Sequence, residues 1–334
     1  MYNILKDDYM GKFKWCFIGA GSLAKTVASQ INKSGRHEIV SVYTRNFEKG
    51  AEFAEKYGGT AYDTPEKAIT AEDVQGVYIV TPHNAHYRYV KMSLELGKPV
   101  FCEKAFTVTA DETRELIDLA TEKDLYLCEA MWTWFSQAAN KTKKWIDEGK
   151  IGAVKEADFK YHVRTVGYKG RHTDPRRAGG ALLDITVYPV TYAYRLWGKP
   201  DKIESKGKIK DGIDLCEDVI FTYKNGFKVN ISASINDYFG LEKMTIKGEK
   251  GKITAPFFHA VNSVTFKNGL FRKETFKGDG PKIISYVEEF DSVATDILSG
   301  KKESEKVPLK ATLEVMELLD EIRNQIGLIY DNLE

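Results

Sequence analysis

Between Lys14 and Ala130 the chain repeats one pattern: a short apolar run, a polar turn, then a stretch with apolar residues three and four positions apart. The runs are WCFIG (15–19), EIVSVYT (38–44), GVYIV (76–80), KPVFCE (98–103) and LYLCEA (125–130). Runs this continuously apolar fit strands covered on both faces, which predicts a parallel sheet. AKTVASQIN, FEKGAEFAEKY (47–57) and residues 84–96 and 110–122 have helical spacing. Strand and helix in alternation predict a doubly wound α/β domain of the Rossmann type over residues 1–130.

After about residue 150 the period falls to two. AVKEADFKYHVRTV (153–166), DVIFTYK (218–224), FKVNISASI (227–235), KMTIKG and SVTFKNG alternate polar with apolar. That predicts a largely antiparallel open sheet within an α+β domain over residues 131–334. Two helical patterns close the chain, ISYVEEFDSVATDILSG (284–300) and LKATLEVMELLDEIRNQIG (309–327). The second carries Leu313, Met316, Leu319, Ile322 and Ile326 near one face, so it packs onto the body of the protein and is able to pack back on the first domain.

A length of 334 residues exceeds one compact core and agrees with two domains. Lys and Arg number 49 against 48 Asp and Glu, a net charge of +1 spread along the chain. Such a chain has no field to gather nucleic acid or an anionic membrane. No apolar run approaches the ~18 residues a membrane span needs, and MYNILKDDYMGKFKW lacks a signal-peptide core. Cys16, Cys102, Cys128 and Cys216 form no C-x-x-C pair and read as thiols of a reducing cytoplasm.

FIGAGSLA (17–24) supplies Gly19-x-Gly21-x-x-Ala24 between the first strand and the first helix. Gly19 makes the tight turn, Gly21 admits a pyrophosphate, and Ala24 lets helix and strand pack closely. Ser22 and Leu23 open a helix whose free N–H groups and dipole favour phosphate. A site for NAD presents an acid near the end of the second strand. Here that strand ends VYTRN, with Thr44 and Arg45 and no acid, which favours NADP over NAD because a guanidinium matches a 2′-phosphate. Open α/β sheets bind ligands beyond the carboxyl ends of their strands. Two more such ends carry Thr81, Pro82, His83, Asn84 and His86, then Cys102, Glu103 and Lys104. His83 and His86 have i, i+3 spacing, but no acid or thiol cluster accompanies them, so no metal is expected.

IGAGSLA, VYTRNFEKGAEFA, YIVTPHNAHY, GKPVFCEKAF and GGALLDITVYPV, in this order, resemble the Gfo/Idh/MocA family of NAD(P)-dependent oxidoreductases. CEA-MWTWF (128–135) brings the resemblance nearest to the dihydrodiol dehydrogenase and D-xylose 1-dehydrogenase branch. The resemblance implies that Lys104 is catalytic, with Glu103 as the acid of the same motif; Ala105 stands where the family usually has Pro. It also implies a D-x-x-x-Y pair at Asp184 and Tyr188, whose spacing of four puts both on one helical face. Pro189 clashes with the Ile185 carbonyl four residues back, so a kink is expected there. Trp134 departs from an Arg often found in that branch.

The implied reaction moves hydride between nicotinamide C4 and a hydroxyl-bearing carbon of a sugar, polyol or cyclic diol. Tyr188 is then the general acid/base with the Lys104 ammonium beside it, Asp184 orients the hydroxyl, and His86 is a cofactor-side contact. The opposite division, with Lys104 carrying the proton, stays open. Trp132, Trp134 and Phe135 are candidates for an apolar wall against the substrate. Two other readings share the fold: an NAD-dependent glycoside hydrolase and an NADP-binding sensor without activity. Association as a homodimer or homotetramer through the second sheet is also implied.

Overall fold

The computed structural model describes residues 11–165, 170–269, 272–279, 286–331 and 333. The N-terminal stretch up to residue 10, the end of the strand expected at 166 and the helix start expected at 284 and 285 lie outside them. The chain divides into two compact units.

The first unit contains six parallel strands: β1 Phe13–Ile18, β2 His37–Tyr43, β3 Thr60–Tyr62, β4 Gly76–Ile79, β5 Val100–Glu103 and β6 Leu127–Ala130. Their order is β3-β2-β1-β4-β5-β6. Every side chain of β4, β5 and β6 is buried, as continuous apolar runs require when helices cover both faces. The helices are α1 Ser22–Ser34, α2 Phe47–Tyr57, α3 Pro65–Ile69, α4 His86–Glu95 and α5 Ala110–Glu122. Local chemistry sets their ends. Asn46 Oδ1 accepts the Lys49 N–H at 2.8 Å to start α2, and Thr64 with Pro65 starts α3. The strand order reverses direction between β1 and β4, so a crevice opens at their carboxyl ends.

The first unit is not continuous in sequence. A later helix, Tyr286–Leu298, belongs to it together with the chain up to Thr312. Phe290 sits among Trp15, Tyr78 and Phe101 at ring-centroid distances of 4.9, 4.9 and 5.3 Å.

The second unit is built on an eight-stranded sheet. After α6 Gln137–Asp147 come β7 Val154–Arg164, α7 Val187–Trp197, β8 Lys202–Lys210, β9 Ile213–Thr222, β10 Lys228–Ser234, β11 Asn236–Gly248, β12 Gly251–Pro256, β13 Ser263–Asn268 and β14 Arg272–Lys277. The Tyr286–Leu298 helix is α8, and α9 is Leu309–Ile326, which belongs to the second unit from Leu313 onward. Strand order is β14-β13-β12-β11-β7-β10-β9-β8, and all pairs are antiparallel except β10 with β7. The alternation sorts the faces. Phe159, Ile231, Met244 and Ile246 are buried, with α7 supplying Tyr192 at 6.0 Å from Phe159. The opposite face carries cross-strand polar pairs, Lys247 with Glu156 at 2.7 Å and Asn230 with Asp158 at 3.1 Å. Along α9, Val315, Met316, Leu318, Leu319 and Ile322 are buried. Among the described residues no helix is long and apolar enough to cross a membrane.

Candidate active site

In the first unit the glycine turn closes β1 onto its neighbours. The Gly19 N–H donates to Tyr43 O at 2.8 Å, and the Val80 N–H donates to Ile18 O at 2.9 Å. Gly19 has φ +116°, and a Cβ there would lie 2.6 Å from Val80 O, so the fold itself demands glycine. Gly21 differs. Its φ of −74° suits any residue, and a Cβ built on it meets nothing within 4 Å. The fold itself does not ask for glycine at 21, and without a side chain the backbone there is left open to a ligand. No side chain caps α1 and no acid stands in its first turn, which leaves the helix end to an anion. Ser22 is exposed there, Leu23 is half-buried, and Ala24 is fully buried, as close helix packing requires.

The remaining strand ends add polar groups. Thr44 is half-buried and Arg45 exposed at the end of β2, with no acid among residues 42–46. Thr81 Oγ1, after β4, is buried with no protein hydrogen-bond partner. Pro82 begins the turn His83–Ala85, its carbonyl accepting the Ala85 N–H at 3.0 Å, and Asn84 lies half-buried on that turn. A cradle open at Gly21, an uncapped helix end and an orphaned Thr81 hydroxyl together fit a dinucleotide.

Two residues expected at the cofactor turn inward. His86 is fully buried; its Nδ1 lies 3.0 and 3.2 Å from Ala105 O and Phe106 O, and its Nε2 2.9 Å from Thr81 O. It ties the β4 end, at the Thr81 carbonyl, to the segment after Lys104. Glu103 is also buried and accepts the Tyr78 hydroxyl at 2.6 Å. Burial and the charges of Glu103 and Glu289 push the Tyr78 hydroxyl well up. Lys104 follows at the carboxyl end of β5, 6% exposed, with a cis peptide bond to Ala105. Burial raises the Glu129 carboxyl to about 7, although Thr312 donates to it and the Lys104 charge counteracts the rise.

In the second unit the GGALLDITVYP segment explains itself atom by atom. A Cβ on Gly179 would lie 2.6 Å from Arg171 O, and one on Gly180 would lie 1.9 Å from Asp214 Oδ1. Asp214 Oδ2 accepts the Leu182 N–H at 2.5 Å, and Thr186 donates to Glu217 at 2.5 Å. Burial, then the Asp214 charge, hold the Glu217 carboxyl well above its ordinary range. The kink expected before Pro189 takes another form: Leu182–Thr186 is a π-helical turn, with the Val187 N–H bonded to Leu182 O. The wider turn carries the chain into α7 without requiring the amide that proline lacks.

This turn presents Asp184, and α7 presents Tyr188. Asp184 Oδ1 accepts from Arg171 Nη2 at 3.2 Å. His172 Nδ1 lies 2.8 Å from Asp184 Oδ2 but is not aligned for a hydrogen bond. Tyr188, 3% exposed, packs among Trp132, His259 and Tyr161 at ring distances of 5.2, 5.6 and 6.0 Å. Of the three aromatic residues expected to form a wall, Trp132 stands beside Tyr188. Trp134 lies 4.9 Å from the Arg195 guanidinium, and Phe135 is buried. Burial, followed by the charges of Glu242 and Asp184, raises the Tyr161 hydroxyl.

Arg171, Tyr161, Glu242 and His259 were not legible as site residues in the sequence. The basic tract RHTDPRR just before Gly179 was a usable signal for Arg171; nothing local marks His259. Among the described residues no group of three or more His, Cys, Asp or Glu is placed to hold a metal ion.

A doubly wound sheet with this cradle, joined in one chain to an open sheet presenting an Asp and a Tyr, defines a two-unit oxidoreductase architecture. A family model described as an oxidoreductase family with NAD-binding Rossmann fold matches residues 13–130, and the GFO/IDH/MocA C-terminal domain matches residues 139–254. The chain belongs to the GFO/IDH/MocA oxidoreductase family. It is 30% identical to the D-xylose 1-dehydrogenase (NADP(+)) of Hypocrea jecorina, over 96% of this chain and 93% of that protein. It is also 30% identical to the trans-1,2-dihydrobenzene-1,2-diol dehydrogenase of Mus musculus, over 95% and 98%. In fold it is similar to the aldose-aldose oxidoreductase from Caulobacter crescentus complexed with glycerol, with a TM-score of 0.85 and 18% identity over 95% of this chain and 98% of that one.

Proposed function

We propose that the protein is an NADP-dependent dehydrogenase acting on a CH–OH group of a sugar, polyol or cyclic diol. The observation that carries this reading is Tyr188, a buried phenol in an aromatic box one helical turn from an arginine-held carboxylate. The D-xylose and dihydrobenzenediol dehydrogenases, each similar over nearly the whole chain, support the substrate class. Arg45 without a neighbouring acid, and the NADP specificity in the name of the D-xylose enzyme, support NADP over NAD.

Bound NADP(H) supplies the hydride acceptor or donor. In this reading Gly19, Gly21, Ser22 and Leu23 hold its pyrophosphate against the end of α1, and Thr44 and Arg45 hold the 2′-phosphate. Thr81, Pro82 and Asn84 line the strand end that completes the cradle. Tyr188 carries the hydroxyl proton at its Oη, and Asp184, fixed by Arg171, orients the substrate hydroxyl. Lys104 supplies a cation at the carboxyl end of β5, and Glu103 and His86 hold that segment in place. Trp132 excludes water beside Tyr188. The test is absorbance at the reduced-nicotinamide band with NADP and NAD across aldoses, polyols and cyclic diols, for wild type, Lys104→Ala and Tyr188→Phe. The expected result is NADP-dependent turnover that falls by about 10²–10⁴ in Tyr188→Phe and is lost in Lys104→Ala. Tight cofactor binding with no turnover of any substrate overturns the reading.

In the same reading the protein works in the cytoplasm, where its four free cysteines stay reduced. Two copies associate through the second sheet, supported by the exposed Tyr238, Phe239 and Leu241 on β11. Sedimentation velocity of a Phe239→Asp variant tests the association.

A further inference from the structure

The second unit holds a carboxylate–imidazole pair that the mechanism above leaves unused. Glu242 on β11 grips His259 twice: Oε1 accepts the His259 backbone N–H at 2.7 Å, and Oε2 lies 2.7 Å from Nδ1. His259 sits on the short turn Phe258–Ala260, anchored by the fully buried Phe258. Trp132, the residue that flanks Tyr188, donates its indole N–H to His259 O at 2.5 Å. Tyr161 stacks on the imidazole at 4.9 Å and 19°, and the Tyr188 ring lies 5.6 Å away. The Glu242 side chain is 5% exposed, whereas that of His259 is 25% exposed.

These contacts decide the tautomer. A carboxylate oxygen only accepts, so the proton of the neutral ring sits on Nδ1, which donates to Glu242. Nε2 is then a lone-pair acceptor, and no protein group hydrogen-bonds it among the described residues. Ring stacking by Tyr161, the two bonds from Glu242 and the Trp132 bond to the same residue leave the imidazole little rotational freedom. An oriented acceptor with no protein donor, in the aromatic cluster of Tyr188, suits a hydroxyl brought by a ligand.

We propose that His259 Nε2 accepts a hydrogen bond from a second hydroxyl of the substrate, next to the one whose proton Tyr188 carries. Glu242 is its positioning residue. The inference deepens the dehydrogenase reading and rests on it: it assigns His259 as the residue that sets specificity for a second substrate hydroxyl. Sites that hydrogen-bond a substrate hydroxyl discriminate against analogues lacking it, because the oriented acceptor then loses its ligand partner.

Two measurements test this. Binding of cyclohexane-1,2-diol and of cyclohexanol to the NADP-loaded protein is followed by tryptophan fluorescence in wild type, His259→Phe and His259→Gln. The expected result is a diol affinity at least tenfold weaker in His259→Phe, partly restored in His259→Gln, with cyclohexanol changed less than twofold. Equal losses for both ligands, or no loss for the diol, overturn the proposal. Nitrogen-15 spectra of histidine-labelled protein, with His259 assigned through the Gln variant, are expected to show the Nδ1–H tautomer, shifting toward a mixture in Glu242→Gln. An Nε2–H tautomer in wild type overturns it as well. Absence of turnover in the same wild-type samples counts against the dehydrogenase reading instead, since binding and tautomer are measured without it.

Discussion

Gly19 and Gly21, two residues apart in one motif, meet different demands. Gly19 is required by the protein, through its positive φ and the 2.6 Å approach to Val80 O. Nothing of the protein lies within 4 Å of a side chain at Gly21, so the fold does not ask for glycine there, and in the proposed reading the dinucleotide does. Gly19→Ala is therefore expected to cost about 2 kcal/mol or more in a denaturant melt. Gly21→Ala is expected to change the melt by only a few tenths of a kcal/mol up to about 1 kcal/mol, the difference between the two as helix caps. It should nonetheless weaken NADP at least tenfold in a fluorescence titration. Equal stability losses in both variants would refute the division. The sequence motif shows both glycines and hides the difference, since φ and close approach exist only in three dimensions. The same limit left the partners of His86 and Glu103 unread: the sequence placed both after strands, and only the structure pairs Glu103 with the Tyr78 hydroxyl and His86 with the Thr81 carbonyl.

Elements in this protein are marked by their termini and disturbed by buried charge. β6 is short and wholly buried, and Glu129 is one of its four residues. Its carboxyl, raised to about 7 chiefly by burial, stays protonated in the folded state where the unfolded chain, at 4.5, has already ionised. Between those two values the folded form binds the extra proton, so stability is fully present below about pH 4.5, falls as pH rises to about 7, and is flat above. The loss is on the order of 3 kcal/mol. Glu129→Gln keeps an acceptor for Thr312 and is expected to remove this decline, leaving the variant more stable than wild type at pH 8. Urea melts across pH check it, and parallel pH profiles for the two proteins would contradict it. Strands with continuous apolar runs were legible because burial on both faces leaves a composition trace. β8, KIESKGKIK, and β14, RKETFK, left none, because they are edge strands whose side chains are mostly exposed. α6, QAANKTKKWID, was missed because its four buried residues lie among lysines.

At the scale of the whole molecule, the outer face of the second sheet proves polar, with Lys247, Glu156, Asn230 and Asp158 paired across strands. Three exposed apolar side chains, Tyr238, Phe239 and Leu241, lie together at one end of β11, where Phe239 is 98% exposed and Tyr238 lies 3.3 Å under the Arg164 guanidinium. If these residues hold two copies together, Phe239→Asp shifts the sedimentation coefficient from dimer to monomer with the melting temperature of the monomer unchanged. A coefficient that does not move rejects this surface as the contact.

The linear order of apolar runs, the period change near residue 150 and the glycine fingerprint determined the two sheets and the family, because each is a local pattern repeated many times along the chain. Tertiary structure alone decided which later segment returns to the first sheet, since Phe290 reaches Trp15 across 275 positions by packing and not by pattern. It alone decided that Glu242 fixes the His259 ring beside Tyr188, residues separated by whole strands and joined by no motif. Sequence spacing carries information over the few residues that one turn or one pleat relates. Contacts between distant elements are chosen by the shape and polarity of the surfaces that meet, and those surfaces exist only once the chain has folded.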